Sequence, residues 1–158
     1  YGKTVVGKDC LIMAYVHIAH DCILGDHVIL VNSVALAGHV EIGDYGIVSG
    51  LSAVHQFVKI GAHVMIGGGA MVRKDVPPFI TAAGEPLAYA GVNSVGLKRR
   101  NFSQEDINEI QTLYRTLYQS GMNVSQAVNR IKEQHSNRPL ADFILSFIEQ
   151  SDRGLIRK

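Results

Sequence analysis

The sequence predicts a parallel β-helix followed by a small α-helical domain. A branched aliphatic residue occupies every sixth position from Val6 to Val72. A longer period accompanies this one, because glycines follow aliphatic residues at 18-residue intervals from Gly7 to Gly61. After about residue 100 the apolar residues change to the i, i+3, i+4 spacing of amphipathic helices. A six-residue period fits neither an α-helix nor a single alternating strand, and it indicates a β-solenoid.

Each coil of such a solenoid has three short strands, and each strand contributes one aliphatic side chain to a narrow triangular core. The predicted core positions are Val6, Ile12, Ile18, Leu24, Leu30, Leu36, Ile42, Val48, Val54, Ile60, Ile66 and Val72. A small or β-branched residue stands two positions earlier in nearly every repeat, which suits a tight corner. Adjacent coils stack about 4.8 Å apart, so residues 18 apart in sequence become neighbours in space.

The repeat ends at Asp75-Val76-Pro77-Pro78, because proline cannot donate to a strand ladder and restricts the residue before it. We therefore assign residues 1–78 to the β-helix and residues 79–100 to an irregular connector. The chain opens at Tyr1 already in the repeat and without an initiating Met, so we expect further N-terminal coils to be missing from it.

Residues 101–158 are predicted to form an α-helical C-terminal domain. A first helix starts at the capping-box-like Ser103-Gln104-Glu105-Asp106 and ends near Gly121. A second is expected from about Ser125 to Glu133, and a third from about Pro139 to Gln150. All three are amphipathic, so they must pack on each other, on the coils or on a neighbouring subunit. The remaining tail is short and mostly polar.

Composition excludes several classes of function. The 158 residues carry a net charge of +1, which gives no overall attraction to nucleic acid or membrane. No apolar stretch approaches the length of a transmembrane helix. Cys10 and Cys22 occupy small-residue positions of the repeat, which predicts buried free thiols and a reducing compartment.

Polar residues interrupt the repeat at one predicted corner. His20, Gly38 and Gln56 follow one another at 18-residue intervals, and Asp21 and His39 form the adjacent column. The cluster expected at this corner is His17, His20, Asp21, Gly38, His39, His55 and Gln56. The other three histidines, His27, His63 and His135, are expected to face solvent.

The cluster has three interpretations. These residues can be ordinary surface or subunit-contact positions. They can form a zinc site from His17, His20 and His39 at a trimer interface, although Gly38 and Gln56 in the same columns are poor ligands. They can also perform acid–base chemistry, with a histidine taking a proton from a hydroxyl, Asp21 orienting it and a glycine N–H stabilising an oxyanion. The last set has the parts needed for acyl transfer to an alcohol.

Several blocks of the chain closely resemble the bacterial UDP-N-acetylglucosamine acyltransferases that begin lipid A synthesis. These blocks are His17-Ile18-Ala19-His20-Asp21-Cys22, Leu36-Ala37-Gly38-His39-Val40, Ala53-Val54-His55-Gln56-Phe57, Ile60-Gly61-Ala62-His63-Val64-Met65, Asp75-Val76-Pro77-Pro78, Gly91-Val92-Asn93, Gly96-Leu97-Lys98-Arg99-Arg100 and Arg153-Gly154-Leu155-Ile156-Arg157. The resemblance covers essentially the whole chain, which corresponds to the C-terminal portion of the family. It implies a homotrimer of left-handed β-helices, with active sites between subunits.

The resemblance also implies roles for individual residues. His20 would be the general base on the 3-hydroxyl of the glucosamine unit, Asp21 its dyad partner and the Gly38 N–H the oxyanion donor. His17, His39, His55 and Gln56 would line the substrate site. Asn93, Arg99 and Arg100 would contact the nucleotide and its phosphates. Gly68 corresponds to the ruler of acyl-chain length, and its missing side chain predicts a long acyl chain.

The implied donor is an (R)-3-hydroxyacyl chain on the phosphopantetheine arm of acyl carrier protein, with no further cofactor and no metal. The implied location is the cytoplasm of a Gram-negative type of bacterium, without membrane insertion. Two departures concern recognition: Val95 replaces an expected acidic residue, and Pro86 lies in a divergent stretch. The family's upstream coils, which supply a lysine and a histidine, are also absent.

The sequence leaves three other functions open. The first is a related hexapeptide N-acyltransferase acting on a 3-amino sugar, and the second is a coenzyme-A-dependent acetyltransferase. The third is a non-catalytic or zinc-binding β-helical trimer.

Overall fold

The computed structural model describes residues 2–158, and the predicted β-helix is confirmed. Its coils are built from two-residue strands, named in chain order: β1 Val5–Val6, β2 Leu11–Ile12, β3 His17–Ile18, β4 Ile23–Leu24, β5 Ile29–Leu30, β6 Ala35–Leu36, β7 Glu41–Ile42, β8 Ile47–Val48, β9 Ala53–Val54, β10 Lys59–Ile60, β11 Met65–Ile66 and β12 Met71–Val72. They form three sheets, which we call A (β1, β4, β7, β10), B (β2, β5, β8, β11) and C (β3, β6, β9, β12). Within each sheet the strands are parallel and pair residues 18 apart, such as His17 with Ala35.

The second residue of each strand points into the core between the three sheets. From Leu24 to Val72 these aliphatic side chains are at most 2% exposed, as the six-residue period predicts. Val6 and Ile12 are 44% and 39% exposed, because in the described structure a neighbouring coil covers them on one side only. Cys22 is fully buried as predicted, whereas Cys10 is partly exposed, and both are free thiols.

Each corner of the coil contains one residue in the left-handed region of backbone space. These residues recur every six positions, at Asp9, Tyr15, Asp21, His27, Ser33, His39, Tyr45, Leu51, Phe57 and His63. For a residue other than glycine this conformation costs about 1 kcal/mol. Hydrogen bonds between coils offset the cost: the His39 N–H, for example, donates to the His20 carbonyl one coil earlier. The side chains at these positions therefore stack in columns along each corner.

Residues 79–100 are ordered, so the prediction of an irregular connector is wrong. Strand β13 (Ile80–Ala83) pairs with β11 and extends sheet B, and β14 (Ala88–Val92) pairs with β13 in antiparallel orientation. A short helix α1 (Ser94–Arg99) follows. The six-residue period has ended at this point, so the sequence carries no regular pattern that indicates the hairpin.

The three predicted helices are present as α2 (Gln104–Gln119), α3 (Val124–Gln134) and α4 (Pro139–Glu149). The Ser103 side chain caps α2 by accepting the Asp106 N–H, and Asn123 forms a capping box with Gln126 at α3. The buried faces of α2 and α3 pack together, and both contact α4. Among residues 2–158, no helix is long and apolar enough to cross a membrane.

The tail returns to the last coil and is held there by Asp75, which is fully buried. One carboxylate oxygen of Asp75 accepts the Lys59 N–H at 2.8 Å, and the other accepts the Ser151 hydroxyl at 2.6 Å. Ile156 is 3% exposed, and its carbonyl accepts the Tyr118 hydroxyl at 3.0 Å. The tail predicted to be merely polar is therefore part of the packed structure.

Candidate active site

His20 and Asp21 form a hydrogen-bonded pair at the corner between sheets C and A. Nδ1 of His20 lies 2.9 Å from Oδ2 of Asp21. Because a carboxylate only accepts, we assign the ring proton to Nδ1, which leaves Nε2 as a proton acceptor. The His20 side chain is 73% exposed and that of Asp21 only 16%, so the ring is accessible while the carboxylate is shielded. Hydrogen bonds from His20 and from the Gly2 backbone hold the pKa of Asp21 well below its usual range.

Gly38 lies one coil beyond His20, and its lack of a side chain makes room for the His20 ring. A Cβ atom built on Gly38 would lie 2.6 Å from Cε1 and 2.7 Å from Nε2 of His20. The acceptor nitrogen of His20 therefore lies close to the Gly38 backbone, and an alanine at this position would displace the ring.

The Gly38 N–H differs from its equivalents at the corner between sheets A and B. There the Lys8 N–H donates to the Asp26 carboxylate at 2.7 Å, and the Asp26 N–H donates to the Asp44 carboxylate at 2.8 Å. In the Gly38 column the residue one coil later is Gln56, so no carboxylate stands where Asp26 and Asp44 stand in the other column. The Gly38 N–H makes no hydrogen bond to any residue between 2 and 158. This donor is available for an oxygen on a bound substrate.

His39 extends the cluster through ring contacts. Its ring stacks on Phe57 with 4.6 Å between centroids and meets the His20 ring edge-on at 5.1 Å. Its Nε2 lies 3.9 Å from Oδ2 of Asp21. The potential ligand atoms of His20, Asp21 and His39 all lie within 4.8 Å of one another, a spacing that can hold a metal ion. The zinc site considered from the sequence consisted of His17, His20 and His39, whereas the structure has Asp21 in place of His17.

The remaining residues predicted for this corner lie at its edge. His55 and Gln56 are exposed on the next coil, and Nδ1 of His55 is 3.2 Å from the Gln56 carbonyl oxygen. His17 is exposed on the outer face of sheet C. Gly68 is exposed at the third corner, between sheets B and C.

Asn93 and Arg100 lie at the corner between sheets A and B, away from the His20 pair. Asn93 is buried, with 6% of the residue exposed. It donates to the His63 carbonyl at 3.0 Å and accepts the Gly96 N–H at 3.2 Å, capping α1. Nη1 of Arg100 lies 3.4 Å from Nδ1 of His63. Arg99 is exposed in the last turn of α1.

The outer face of sheet A separates these two corners, and α4 faces it across a groove. Phe143 and Phe147 of α4 line a groove together with Ile23 and Ile60 of sheet A. Nζ of Lys59 on the same face donates to the Gln150 carbonyl at 2.6 Å. Within one chain, the polar cluster around His20 and the one around Arg100 are therefore on opposite edges of sheet A.

Comparison with known proteins assigns the family. Residues 75–156, just over half of the chain, match the sequence profile described as UDP N-acetylglucosamine O-acyltransferase, domain 2. The chain belongs to the UDP-N-acetylglucosamine O-acyltransferase family. Residues 3–38 match the bacterial transferase hexapeptide profile, in agreement with the coils seen in the structure.

Curated relatives of the UDP-N-acetylglucosamine O-acyltransferase family align with nearly the whole chain. Two are named acyl-[acyl-carrier-protein]--UDP-N-acetylglucosamine O-acyltransferase. The protein from Thiobacillus denitrificans is 44% identical over 156 residues, covering 99% of this chain and 60% of the relative. The protein from Burkholderia lata is 46% identical over 160 aligned positions, covering 99% and 61%. The chain thus spans about 60% of the length of these relatives.

Solved structures of the same family show the same fold. The UDP-N-acetylglucosamine acyltransferase from Bacteroides fragilis is 44% identical, with a TM-score of 0.91 over 94% of this chain and 58% of that protein. The enzyme from Francisella novicida is 41% identical, with a TM-score of 0.93 over 97% and 56%.

His27, His63 and His135 were expected to face solvent, but in this family member all three are only partly exposed. His63 is the clearest case. Its ring is sandwiched at a corner between Tyr45 and Phe79, at 5.0 Å and 5.6 Å between centroids. Burial, and then the neighbouring Arg100, lower the pKa of His63 to about 4. A signal was present in the sequence, since His27, Tyr45 and His63 are spaced 18 apart.

The lowered pKa of His63 predicts a pH dependence of stability. In the unfolded chain a histidine takes up its proton near pH 6.5, whereas folded His63 resists until about pH 4. The unfolded state therefore binds more protons in this window, and the free energy of unfolding falls as the pH drops through it. We expect His63→Phe to reduce this loss by about 1 kcal/mol after allowance for solvent screening of the half-exposed ring. The free energy of unfolding of both proteins is measured by denaturant titration at about pH 7.5 and about pH 4.5, which lie on either side of most of this window. An equal fall in the free energy of unfolding for both proteins would contradict the prediction.

Proposed function

We propose that this chain belongs to an O-acyltransferase that moves an (R)-3-hydroxyacyl group from acyl carrier protein to the 3-hydroxyl of UDP-N-acetylglucosamine, the first step of lipid A synthesis. The observation that carries the proposal is the His20–Asp21 hydrogen bond of 2.9 Å beside the backbone of Gly38. The names of the curated relatives, which specify acyl carrier protein and UDP-N-acetylglucosamine, support the donor and the acceptor.

The proposed mechanism uses three groups of the cluster. Nε2 of His20 takes the proton of the sugar hydroxyl, and the resulting alkoxide attacks the thioester carbonyl carbon. Asp21 holds the ring and stabilises the imidazolium. The Gly38 N–H donates to the oxyanion of the tetrahedral intermediate. Collapse breaks the C–S bond, and the imidazolium returns its proton to the leaving thiolate of phosphopantetheine. Because the donor already carries an activated thioester, the reaction requires no further cofactor.

An apolar stripe on the outer face of sheet B is suited to the acyl chain. Leu11, Ile29, Ile47 and Met65 are paired in register on four successive coils. At strand spacing the stripe is about 14 Å long. Gly68 stands at the corner just beyond its last member. A Cβ built on Gly68 would meet only the Gly50 carbonyl oxygen at 3.5 Å and the Ser49 Cβ at 3.9 Å, so the fold has room for a side chain here.

We expect Gly68→Met to shorten the preferred acyl chain. The new side chain would project at the end of the stripe and occupy space that a long chain would use, while the backbone needs no adjustment. Each buried methylene of the acyl chain contributes about 0.8 kcal/mol, so losing contact with two or three should reverse the preference between long and short donors by about tenfold or more. Competition between donors of different length, read by mass spectrometry, measures the ratio. An unchanged ratio would remove Gly68 from the role of ruler.

The separation of the two polar corners supports a site between subunits. If Arg99 and Arg100 contact the nucleotide while His20 contacts the sugar hydroxyl, the two contacts lie at opposite edges of sheet A and fit different subunits better than one. We therefore propose a homotrimer in which one subunit supplies the His20 corner and its neighbour the Arg100 corner. Asn93 is buried and already hydrogen-bonded at the start of α1, so its role would be to hold that helix in place. His17, His39, His55 and Gln56 would position the sugar beside His20.

Basic side chains suit the acidic carrier protein. Lys98 and Arg99 are exposed at the end of α1. Four further basic residues, Arg73, Lys74, Arg157 and Lys158, line a cavity of about 370 Å³ together with the apolar Leu87 and Ile156. The free thiols of Cys10 and Cys22 fit a reducing, cytoplasmic setting.

The test is acyl transfer by the full-length protein. It is supplied with (R)-3-hydroxyacyl carrier protein and either UDP-N-acetylglucosamine or its 3-amino analogue, and the products are identified by mass spectrometry. Ester formation on the 3-hydroxyl is the expected result. Amide formation alone would favour the related N-acyltransferase, and acetyl transfer from coenzyme A alone would favour an acetyltransferase.

The three-residue cluster of His20, Asp21 and His39 favours a second candidate, a zinc-dependent hydrolytic or hydrating activity. Elemental analysis of the purified protein tests it. Stoichiometric zinc that is lost in His39→Ala would favour this alternative, because a metal would occupy the lone pairs that the acyl-transfer mechanism needs.

A further inference from the structure

A column of stacked rings runs along the corner between sheets A and B. His27 stacks on Tyr45 at 4.5 Å between centroids, and Tyr45 stacks on His63 at 5.0 Å. Both interplanar angles are small, 15° and 9°. We call these three residues the ring column. Its order follows from the coil geometry, since all three side chains leave the same left-handed corner position on successive coils.

Arg100 lies against the ring column and contacts two of its members. The centre of its guanidinium is 5.1 Å from the centroid of the Tyr45 ring, within the range of a cation–π contact. Nη1 of the same group is 3.4 Å from Nδ1 of His63. A guanidinium has only donors, so this contact is a hydrogen bond when His63 Nδ1 accepts, that is, when the imidazole is neutral. One face and one N–H of Arg100 are thus held by the column.

A second set of contacts fixes the helix that carries Arg100. Asn93 ties the start of α1 to the backbone of His63 through the hydrogen bond of 3.0 Å. Gly96 leaves space for both polar side chains: a Cβ there would lie 2.5 Å from Nδ2 of Asn93 and 3.0 Å from Nη1 of Arg100. His63 therefore holds Arg100 twice, through its ring and, by way of Asn93, through its backbone.

We propose that Tyr45 and His63 are positioning residues that hold the Arg100 guanidinium ready for a phosphate of the nucleotide sugar. This inference rests on the proposed function, which places Arg100 at the nucleotide. A free arginine has several rotatable bonds and loses their freedom when it binds an anion, so holding it in advance lowers that cost. The Tyr45 and His63 contacts use one face and one of five donors, and the remaining donors can form the paired hydrogen bonds that phosphate accepts.

The experiment compares binding of UDP-N-acetylglucosamine and of uridine to variants of the full-length protein by calorimetry, with kcat and KM measured alongside. His63→Phe keeps a stacking ring and removes the acceptor, and Tyr45→Leu removes the ring face. Each is expected to weaken binding of the nucleotide sugar about fivefold, in line with the loss of one cation–π or charged hydrogen-bond contact. KM should rise by the same factor, while kcat should stay within about twofold of its value in the unaltered protein. Tyr45→Phe is the matched control and should bind as the unaltered protein does. Uridine, which has no phosphate, should bind all four proteins equally.

An Arg100→Ala background separates positioning from a general structural effect. There, adding His63→Phe should cause no further loss of affinity, because the group that it positions is gone. Equal weakening of uridine and nucleotide-sugar binding, a full further loss in the Arg100→Ala background, or unchanged affinity in His63→Phe would each overturn the positioning role. If the unaltered protein bound no UDP-N-acetylglucosamine, the proposed function itself would fail. If the unaltered protein binds UDP-N-acetylglucosamine and His63→Phe binds it with the same affinity, only the positioning role would be overturned.

Discussion

His20→Ala should lower the rate of acyl transfer by about 10²–10⁴-fold, the range expected for loss of a general base. Nε2 of His20 is the proton acceptor left by the Nδ1–Asp21 hydrogen bond, and the ring is exposed to substrate. Without it the sugar hydroxyl, a very weak acid, would have to attack the thioester with its proton in place. The measurement is kcat and KM in the full-length enzyme, and the loss is expected in kcat.

The control for this variant is His135→Ala, at the end of α3 and outside the cluster. It should leave kcat unchanged. The thermal midpoint of His20→Ala should also stay near that of the unaltered protein, since the side chain is 73% exposed and buries little surface. Acyl transfer at a near-normal rate in His20→Ala would sink the assignment of the base.

Gly38→Ala should reduce kcat by about 10²-fold, although it adds a single methyl group. The new Cβ would lie 2.6 Å and 2.7 Å from two atoms of the His20 ring, well inside van der Waals contact. The exposed ring can rotate away, so the fold survives, but Nε2 then leaves its place beside the Gly38 N–H. A misplacement of about 1 Å at a reacting centre is enough for an effect of this size.

Gly50→Ala is the matched control at another corner. A Cβ there would come no closer than 3.2 Å to the Asn32 carbonyl oxygen and would contact no residue of the cluster. Crystal structures of the two variants would show the His20 ring moved only in Gly38→Ala. If Gly38→Ala retained full kcat, the base and the oxyanion donor would have to lie elsewhere.

The proximity of His20 and Gly38 could be predicted from the sequence because the solenoid is nearly one-dimensional. Once the six-residue period fixed the strands, residues 18 apart had to be neighbours, so His20 and Gly38 could be placed together without a structure. The hydrogen bond from His20 to Asp21 does not follow from the 18-residue spacing, because it joins sequence neighbours at a corner outside any strand. The left-handed conformation of Asp21 at the corner turns its carboxylate back toward the ring.

The contacts of Arg100 could not be obtained in the same way. They depend on where the hairpin of β13 and β14 and the helix α1 return to the coils, and no repeat describes that path. The stacked rings of Tyr45 and His63 were visible as a spacing in the sequence, but their burial comes from Phe79, Phe102 and Arg100, which follow the repeat. Solvent exposure was therefore the wrong expectation for His63.

The hairpin and the returning tail have a consequence for how molecules of this protein meet one another. A parallel solenoid ends in open strand edges, and two such ends can join and continue into a fibre. Here β14 runs antiparallel to β13, and isolated bridges link Asp75 to Leu155 and Ala88 to Arg157. This end therefore presents an antiparallel strand, the C-terminal tail and basic side chains to a second molecule, and no parallel coil with which it could pair. The same segments that bring Arg100 to the coils thus cover this end of the solenoid against pairing with another coil.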